Sequence, residues 1–284
     1  MDVNEEEKWD LIINADGSSL SNFREVLHFR DLLGLLVKRD FVAFYKQTIL
    51  GPVWFLLQPI FTLGVYVFLF GRVAKLSTEA IPAPLFYLLG IIVWSFFSES
   101  LKKVSVVLME SKDIIGKVYF PRIIMPISII ISSLVRFGFQ LALLLIFIFY
   151  FHVATSFEFQ FRMSILLAPL FLFLISLQSL GIGLLISGLT IKYRDIALLV
   201  TFGLQLAMYA TTVVYPLSAL EGNLKLMVSI VPTTYIIEGL RNGFFGSGVL
   251  TEFSLFYSFL CSILLLFAGF SVFNRYQRNF IDSI

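Results

Sequence analysis

Charge, cysteine and histidine are scarce in this chain, and each shortage removes a class of function. Only 14% of the 284 residues are charged, where a soluble globular protein carries about 25%. With 58% hydrophobic residues and a mean hydropathy of +0.90, the apolar surplus must face lipid. A formal net charge of +2 is too small to draw a nucleic acid. The single cysteine, Cys261, lies in an apolar run, so an intrachain disulfide and a cysteine-held metal are both excluded. The two histidines are His28 and His152, on opposite sides of the topology derived below. No paired carboxylates occur in the apolar runs, so an intramembrane polymerase or glycosyltransferase lacks its acid–base material. A P-loop is also missing: Gly116 and Lys117 have no upstream glycine at the needed spacing. No metal or cofactor is expected in this chain. Residues 1–27 are polar, with Glu5, Glu6 and Glu7, and lack the apolar core of a signal peptide.

What is present is a series of long apolar runs, and 32 Phe and 11 Tyr suited to a helical membrane protein with interfacial aromatics. Before the first run, Phe29, Leu32, Leu33, Leu36, Val37, Phe41 and Phe44 recur at steps of three and four. Arg30, Asp31, Lys38, Arg39, Lys46 and Gln47 cover the other side. Residues 28–50 are therefore expected to be an amphipathic interfacial helix closed by Gly51 and Pro52. A helix packed on a soluble domain is the alternative, but the chain offers no such domain.

Spans of the length needed to cross a bilayer are expected at about 53–71, 85–108, 123–151, 163–191, 196–213 and 253–274. The second is less clean, because Glu99, Lys102 and Lys103 lie in its second half. The third carries Arg136 near its middle. The fourth has a small-residue face of Gly181, Gly183, Ser187 and Gly188, suited to close packing. A 12-residue apolar piece at 226–237, holding Pro232, is too short to cross and reads as re-entrant or interfacial. The expected fold is an all-α integral membrane protein: six transmembrane helices, an N-terminal amphipathic interfacial helix, and short re-entrant helices between spans five and six. A lead at 1–27, a membrane domain at 51–275 and a tail at 276–284 complete the division.

Six spans put both termini on one side. Fifteen of the 21 Lys and Arg then fall on that side. Five fall opposite: Arg72, Lys75, Arg162, Lys225 and Arg241. Arg136 lies in the membrane. The positive-inside rule makes both termini cytoplasmic.

One charged island, Met109 to Arg122, joins spans two and three on that same face. Its helix is expected over 111–118, stopping before Phe120 and Pro121. Two readings fit: a plain connector anchored by positive charge, or a handle for a partner. In the second, Tyr119 and Phe120 fill a partner's groove while Asp113, Lys117 and Arg122 set register. Glu99 and Arg136 lie at similar depth on adjacent spans and are expected to pair, since a lone arginine at a helix centre costs about 2.5–3.5 kcal/mol. The alternative is that each faces a separate polar cavity. Gln58, Phe61, Thr62 and Tyr66 on span one, and Thr201, Gln205, Met208 and Tyr209 on span five, each form one helical stripe. Such stripes line a path for sugars, which stack on aromatic faces, or simply face lipid and core. Arg30, Lys38 and Arg39 suit either the diphosphate of a lipid carrier or ordinary anionic lipid.

Several of these residues carry a resemblance. Arg39 and Asp40, Tyr45, Gln47 and Thr48, Leu50 and Gly51, Trp54, and Gln58 with Pro59 resemble the N-terminal motif of the permease subunit of polysaccharide-exporting ABC transporters. So do Lys117, Val118, Tyr119, Phe120, Pro121 and Arg122 with Pro126, and Tyr193, Arg194 and Asp195. Val214, Tyr215 and Pro216, and the terminal Phe280, Ile281 and Asp282, match as well. The resemblance runs from about Trp9 to the end. It is nearest to O-antigen or capsule exporters, with wall teichoic acid exporters as relatives and a drug or small-lipid exporter of the same fold as a further alternative.

The resemblance implies a multi-pass protein of the bacterial inner membrane and no enzymatic activity of its own. It implies a second copy of this chain and two copies of a separate nucleotide-binding subunit that carries ATP and Mg. The cargo implied is a polysaccharide on undecaprenyl diphosphate. The loop before Arg122 becomes the coupling element. Arg30, Lys38, Arg39, Tyr45 and Gln47 join the gate at the interface.

Overall fold

The computed structural model describes residues 29–46, 49–111, 120–155 and 162–280, without the side chains of Phe44, Tyr45 and 277–280. Among the described residues all regular structure is helical. Helix α1 spans Arg30–Lys46, close to the expected 28–50. Its apolar edge does not stand free. Leu36 is buried with Val104, Val107 and Ile130, and Phe29, Leu32 and Leu33 pack around it.

A short turn at Gly51–Val53 leads into α2, Trp54–Tyr66, which continues in wider i→i+5 turns over Val67–Val73. Helix α3 is Ala83–Glu110 and α4 is Ile124–Thr155. A turn at Met163–Leu167 opens α5, Ala168–Lys192. Helix α6 is Ile196–Tyr209. Two shorter helices follow, α7 at Gly222–Ile230 and α8 at Pro232–Phe245, and α9 is Glu252–Phe280.

Among the described residues, five helical stretches are long and apolar enough to cross a membrane: Gly51–Val73, Ala83–Glu110, Ile124–Thr155, Met163–Lys192 and Glu252–Tyr276. The expected fifth span, 196–213, is cut to 14 helical residues. At 1.5 Å per residue that is about 21 Å, short of a hydrocarbon core of about 30 Å. The helix ends because Ala210–Val214 turns and the segment before Pro216 cannot stay helical. Even so, α6 reaches from one end of the bundle toward the other. It starts just after Thr190, whose hydroxyl donates to the Ser105 carbonyl (2.6 Å) on α3. It ends just before Val213, which packs on Gly90 of the same helix.

Helix α3 is the hub. Of its most apolar 18 residues 78% are buried, against 17% for α9, which presents apolar side chains outward. Helix α5 wedges between α3 and α9. The small residues expected to form one face serve two. A Cβ on Gly269 would lie 2.2 Å from the Gly181 carbonyl oxygen, and one on Gly183 would lie 2.6 Å from Val104 of α3. Glycine lets backbones touch on both sides, where packing rather than a hydrophobic drive holds helices together.

The 12-residue piece at 226–237 resolves into two helices broken at Val231, because Pro232 begins the second. Arg241, expected among the charges on the outer side, is fully buried. Its Nη1 donates to Glu238 Oε1 (2.9 Å) and its Nη2 to the Val213 carbonyl (3.2 Å). Its guanidinium lies 3.7 Å from the Phe86 ring centroid. Glu238 also accepts from the Leu217 (3.4 Å) and Val249 (3.1 Å) amides. The α7–α8 hairpin is thereby pinned to the start of α3.

Candidate functional site

Periodicity places the polar residues on facing stripes. Gln58, Thr62 and Tyr66 follow one another at four-residue steps on α2. Thr201, Gln205, Met208 and Tyr209 do so at steps of four, three and one on α6. Ser95, Glu99 and Lys102 share a face of α3. These three stripes enclose a groove of about 560 Å³. Seven of the eight stripe residues line it: Gln58, Thr62, Tyr66, Thr201, Gln205, Met208 and Tyr209. Phe61 does not; it is 65% exposed and points away from the groove. Tyr66 closes the seam at the hairpin end through its hydroxyl, which meets the Met208 sulfur at 3.0 Å.

The groove has contributors that were not among the expected path residues. Ser95 and Trp94 of α3 and Gln140 of α4 line it. Ser95 Oγ donates to Gln140 Oε1 (3.1 Å), bridging the two helices. Gln140 stands one turn beyond Arg136, and that spacing was the available signal.

One turn further along the same seam, Arg136 donates to the Glu99 carboxylate. The structure thus brings these two expected partners together. Arg136 also lies 5.4 Å from the Phe55 ring centroid. The rings of Phe41, Phe55 and Phe139 stand 6.0 to 6.3 Å apart and tie α1, α2 and α4 together beside it. Beyond the pair a basin of about 730 Å³ opens between α1, α3 and α4. Arg39, Asp40, Lys102, Lys103 and Glu110 line it, and Arg39 is held by Asp40 (2.9 Å). A cleft of about 290 Å³ between α1 and α4 takes in Lys38. Arg30 is exposed at the start of α1, 3.9 Å from Asp31.

The expected partner-binding loop divides. Asp113, Lys117 and Tyr119 lie outside the described residues, as do Gln47 and the Tyr45 side chain. Phe120 is 6% exposed and packs with Leu36, Val107, Leu108 and Ile124. It corrects the expectation of a ring offered to a partner: an aromatic beside Pro121 gains more by filling the gap between α1, α3 and α4. Pro121 and Arg122 are half-buried, and burial pushes the Arg122 guanidinium below its usual pKa.

At the other end, Glu238 and Arg241 form the polar centre that sequence reasoning missed. Burial pushes the Arg241 pKa down, and the adjacent Glu238 charge opposes that shift. Spacing alone, Glu and Arg three apart on an apolar segment, could have flagged the pair. What hid it was counting Arg241 as a charge on the outer side.

Comparison with known proteins fits this architecture. The model of the ABC-2 type transporter family matches residues 31–245. Over 264 residues, 92% of this chain and 98% of the relative, the chain is 27% identical to the O-antigen export system permease protein RfbA of Myxococcus xanthus. Over 252 residues, 89% of this chain and 94% of the relative, it is 23% identical to the protein of the same name from Klebsiella pneumoniae.

Proposed function

The chain belongs to the ABC-2 type transporter family, and on that premise we propose that it is the permease half of a bacterial polysaccharide exporter. Its cargo is a lipid-linked polysaccharide of the O-antigen or capsular type, moved outward across the inner membrane. ATP hydrolysis on a separate nucleotide-binding subunit drives the movement, and the chain works as a homodimer with two such subunits. The names of its relatives support the cargo class.

The observation that carries the reading is the polar groove between α2, α3 and α6. Hydroxyls, amides and rings set between apolar helices, with Glu99 and Lys102 as the charged members of the lining, suit a sugar chain, which needs hydrogen bonds at its rim and flat rings beneath it. Tyr66, Tyr209 and Trp94 supply the rings; Gln58, Thr62, Gln205 and Gln140 supply the polar contacts. The groove is open between α2 and α6, whose outer residues Phe61, Leu198 and Phe202 are exposed. A second copy docked there would complete a channel. Six crossings, with α6 and its following turn as the fifth, put Arg122 and both termini in the cytoplasm. Burial of Arg241 leaves only Arg72, Lys75, Arg162 and Lys225 on the outer side, which sharpens the positive-inside asymmetry. Asp113, Lys117, Tyr119, Pro121 and Arg122 are the contact for the ATPase, and Arg30, Lys38 and Arg39 receive the carrier headgroup.

The test is deletion of the chain in its host, followed by complementation. Polymer should vanish from the cell surface and accumulate on its carrier inside, and an ATP-hydrolysing subunit should co-purify with the tagged protein. Surface polymer that persists at wild-type levels would refute the reading.

A further inference from the structure

Two cavities of opposite character meet at one ion pair. Glu99 lines both the groove and the basin, as does Lys102, whereas Arg136 lines the basin and the α1–α4 cleft. We propose that the Glu99–Arg136 ion pair is a carboxylate stopper between basin and groove, and that the phosphoryl headgroup of an amphiphile opens it by taking the place of Glu99 on Arg136. This rests on reading the chain as an exporter of a lipid-linked substrate.

The charges of the basin favour an incoming anion. Four cations, Arg39, Lys102, Lys103 and Arg136, face three carboxylates, Asp40, Glu99 and Glu110. Asp40 is committed to Arg39, and Glu99 to Arg136. Among the described residues, Lys102 and Lys103 form no ion pair. They attract an anion to the basin. Arg136 is the better final ligand, because its planar fork matches a phosphoryl group.

The exchange also has a place for the group it displaces. An unpaired carboxylate at this depth is costly. Lys102 and Lys103, however, lie three and four residues beyond Glu99 on the same helix, the spacing at which side chains meet. Glu99 can swing one turn to an ammonium while the phosphoryl group holds Arg136. Arg136 is the fixed member, set beside the Phe55 ring at 5.4 Å. The exposures agree: the Glu99 side chain is 31% exposed and that of Arg136 14%. When the stopper swings, the next rung of the seam is Ser95–Gln140, already in the groove.

The experiment is calorimetric titration of the purified chain in phosphatidylcholine nanodiscs with farnesyl diphosphate, inorganic diphosphate or farnesol. Farnesyl diphosphate should bind the wild type. Glu99→Gln, which removes the competitor, should bind it about tenfold tighter, and Arg136→Gln at least about tenfold weaker. Arg136→Lys should recover part of the loss, and Lys103→Gln should weaken binding by about threefold. The double variant Glu99→Gln with Arg136→Gln should gain much less over Arg136→Gln than Glu99→Gln gains over wild type, because Arg136 is the main ligand for which Glu99 competes; independent effects would instead multiply. If Glu99→Gln fails to assemble, Glu99→Asp should still bind tighter than wild type.

Equal or weaker binding by the Glu99 variants, no effect of Arg136→Gln, or no binding by the wild type would overturn the proposal. Binding of farnesol as tight as that of farnesyl diphosphate would overturn the phosphoryl part. Inorganic diphosphate binding as tightly as farnesyl diphosphate would overturn the amphiphile part and leave a soluble-anion site. None of these outcomes touches the export reading, which fails only if the deletion strain keeps its surface polymer.

Discussion

Two glutamate–arginine pairs stand at opposite ends of this bundle, and their surroundings differ. Glu238 and Arg241 have no exposed surface, and backbone meets both oxygens of the acid and one nitrogen of the base. The Leu217 and Val249 amides donate to Glu238, and the Val213 carbonyl accepts from Arg241 Nη2, while Arg241 Nε is left without a partner among the described residues. Glu99 and Arg136 retain exposure and border three cavities. The first pair is a pin; burial makes it expensive to break and leaves no room for an exchange partner. The second sits where an anion can reach it. Identical chemistry is therefore sealed at one end and accessible at the other, and solvent access is what suits the second pair to the proposed exchange.

The largest effect is expected at the pin. Arg241→Met leaves a buried carboxylate uncompensated and should destabilise by about 3–5 kcal/mol, read as a lower Tm in detergent and poor accumulation in membranes. Reversal to Glu238→Arg with Arg241→Glu should not rescue it. Two amides that now donate to the acid would face a guanidinium, and the Val213 carbonyl would face a carboxylate. A reversed pin that melts like wild type would erase the contrast between the two pairs.

A smaller structural effect is expected at the stopper. Glu99→Arg or Arg136→Glu alone should stop export, and the combined reversal should recover assembly with a Tm loss of only about 1 kcal/mol equivalent. Measured together, surface polymer and Tm separate gating from folding. A reversal as defective as either single change would mean that the two residues do not act as a pair.

Smaller again, Gln58→Leu with Gln205→Leu should lower export several-fold while leaving Tm within about 0.5 kcal/mol equivalent, because both side chains face an open groove rather than a packed interior. Least of all, Phe61→Ala in the isolated protomer should change Tm hardly at all, since the ring is 65% exposed. Cross-linking at residue 61 should then report the docked second copy. A large Tm loss in the monomer would place Phe61 inside the fold after all.

Much of this was legible in the chain because one-dimensional signals carry it. The apolar runs at 53–71, 85–108, 123–151, 163–191 and 253–274 match the five long helices to within a few residues, since a bilayer sets both length and polarity. Helix α1 was legible from its spacing of apolar residues, and seven of the eight stripe residues that line the groove from their helical spacing. The early stop of α6 was less so, because its apolar run continues to Val214 while the helix does not. The roles of Phe120 and Arg241 were not legible: a ring and a guanidinium in charged or mixed surroundings read as surface until neighbours from distant segments bury them.

Sequence alone determined that the chain is helical, that it is built for a membrane, and which residues on each helix share a stripe, because periodicity and hydropathy are local. Tertiary structure alone decided which stripes face one another. It set Gln140 beside Ser95, wedged α5 between α3 and α9 through Gly181 and Gly183, and buried Phe120 under α1. It also sealed one glutamate–arginine pair and left the other accessible. Burial is a property of neighbours far away in the chain, and burial determines what a charge can do.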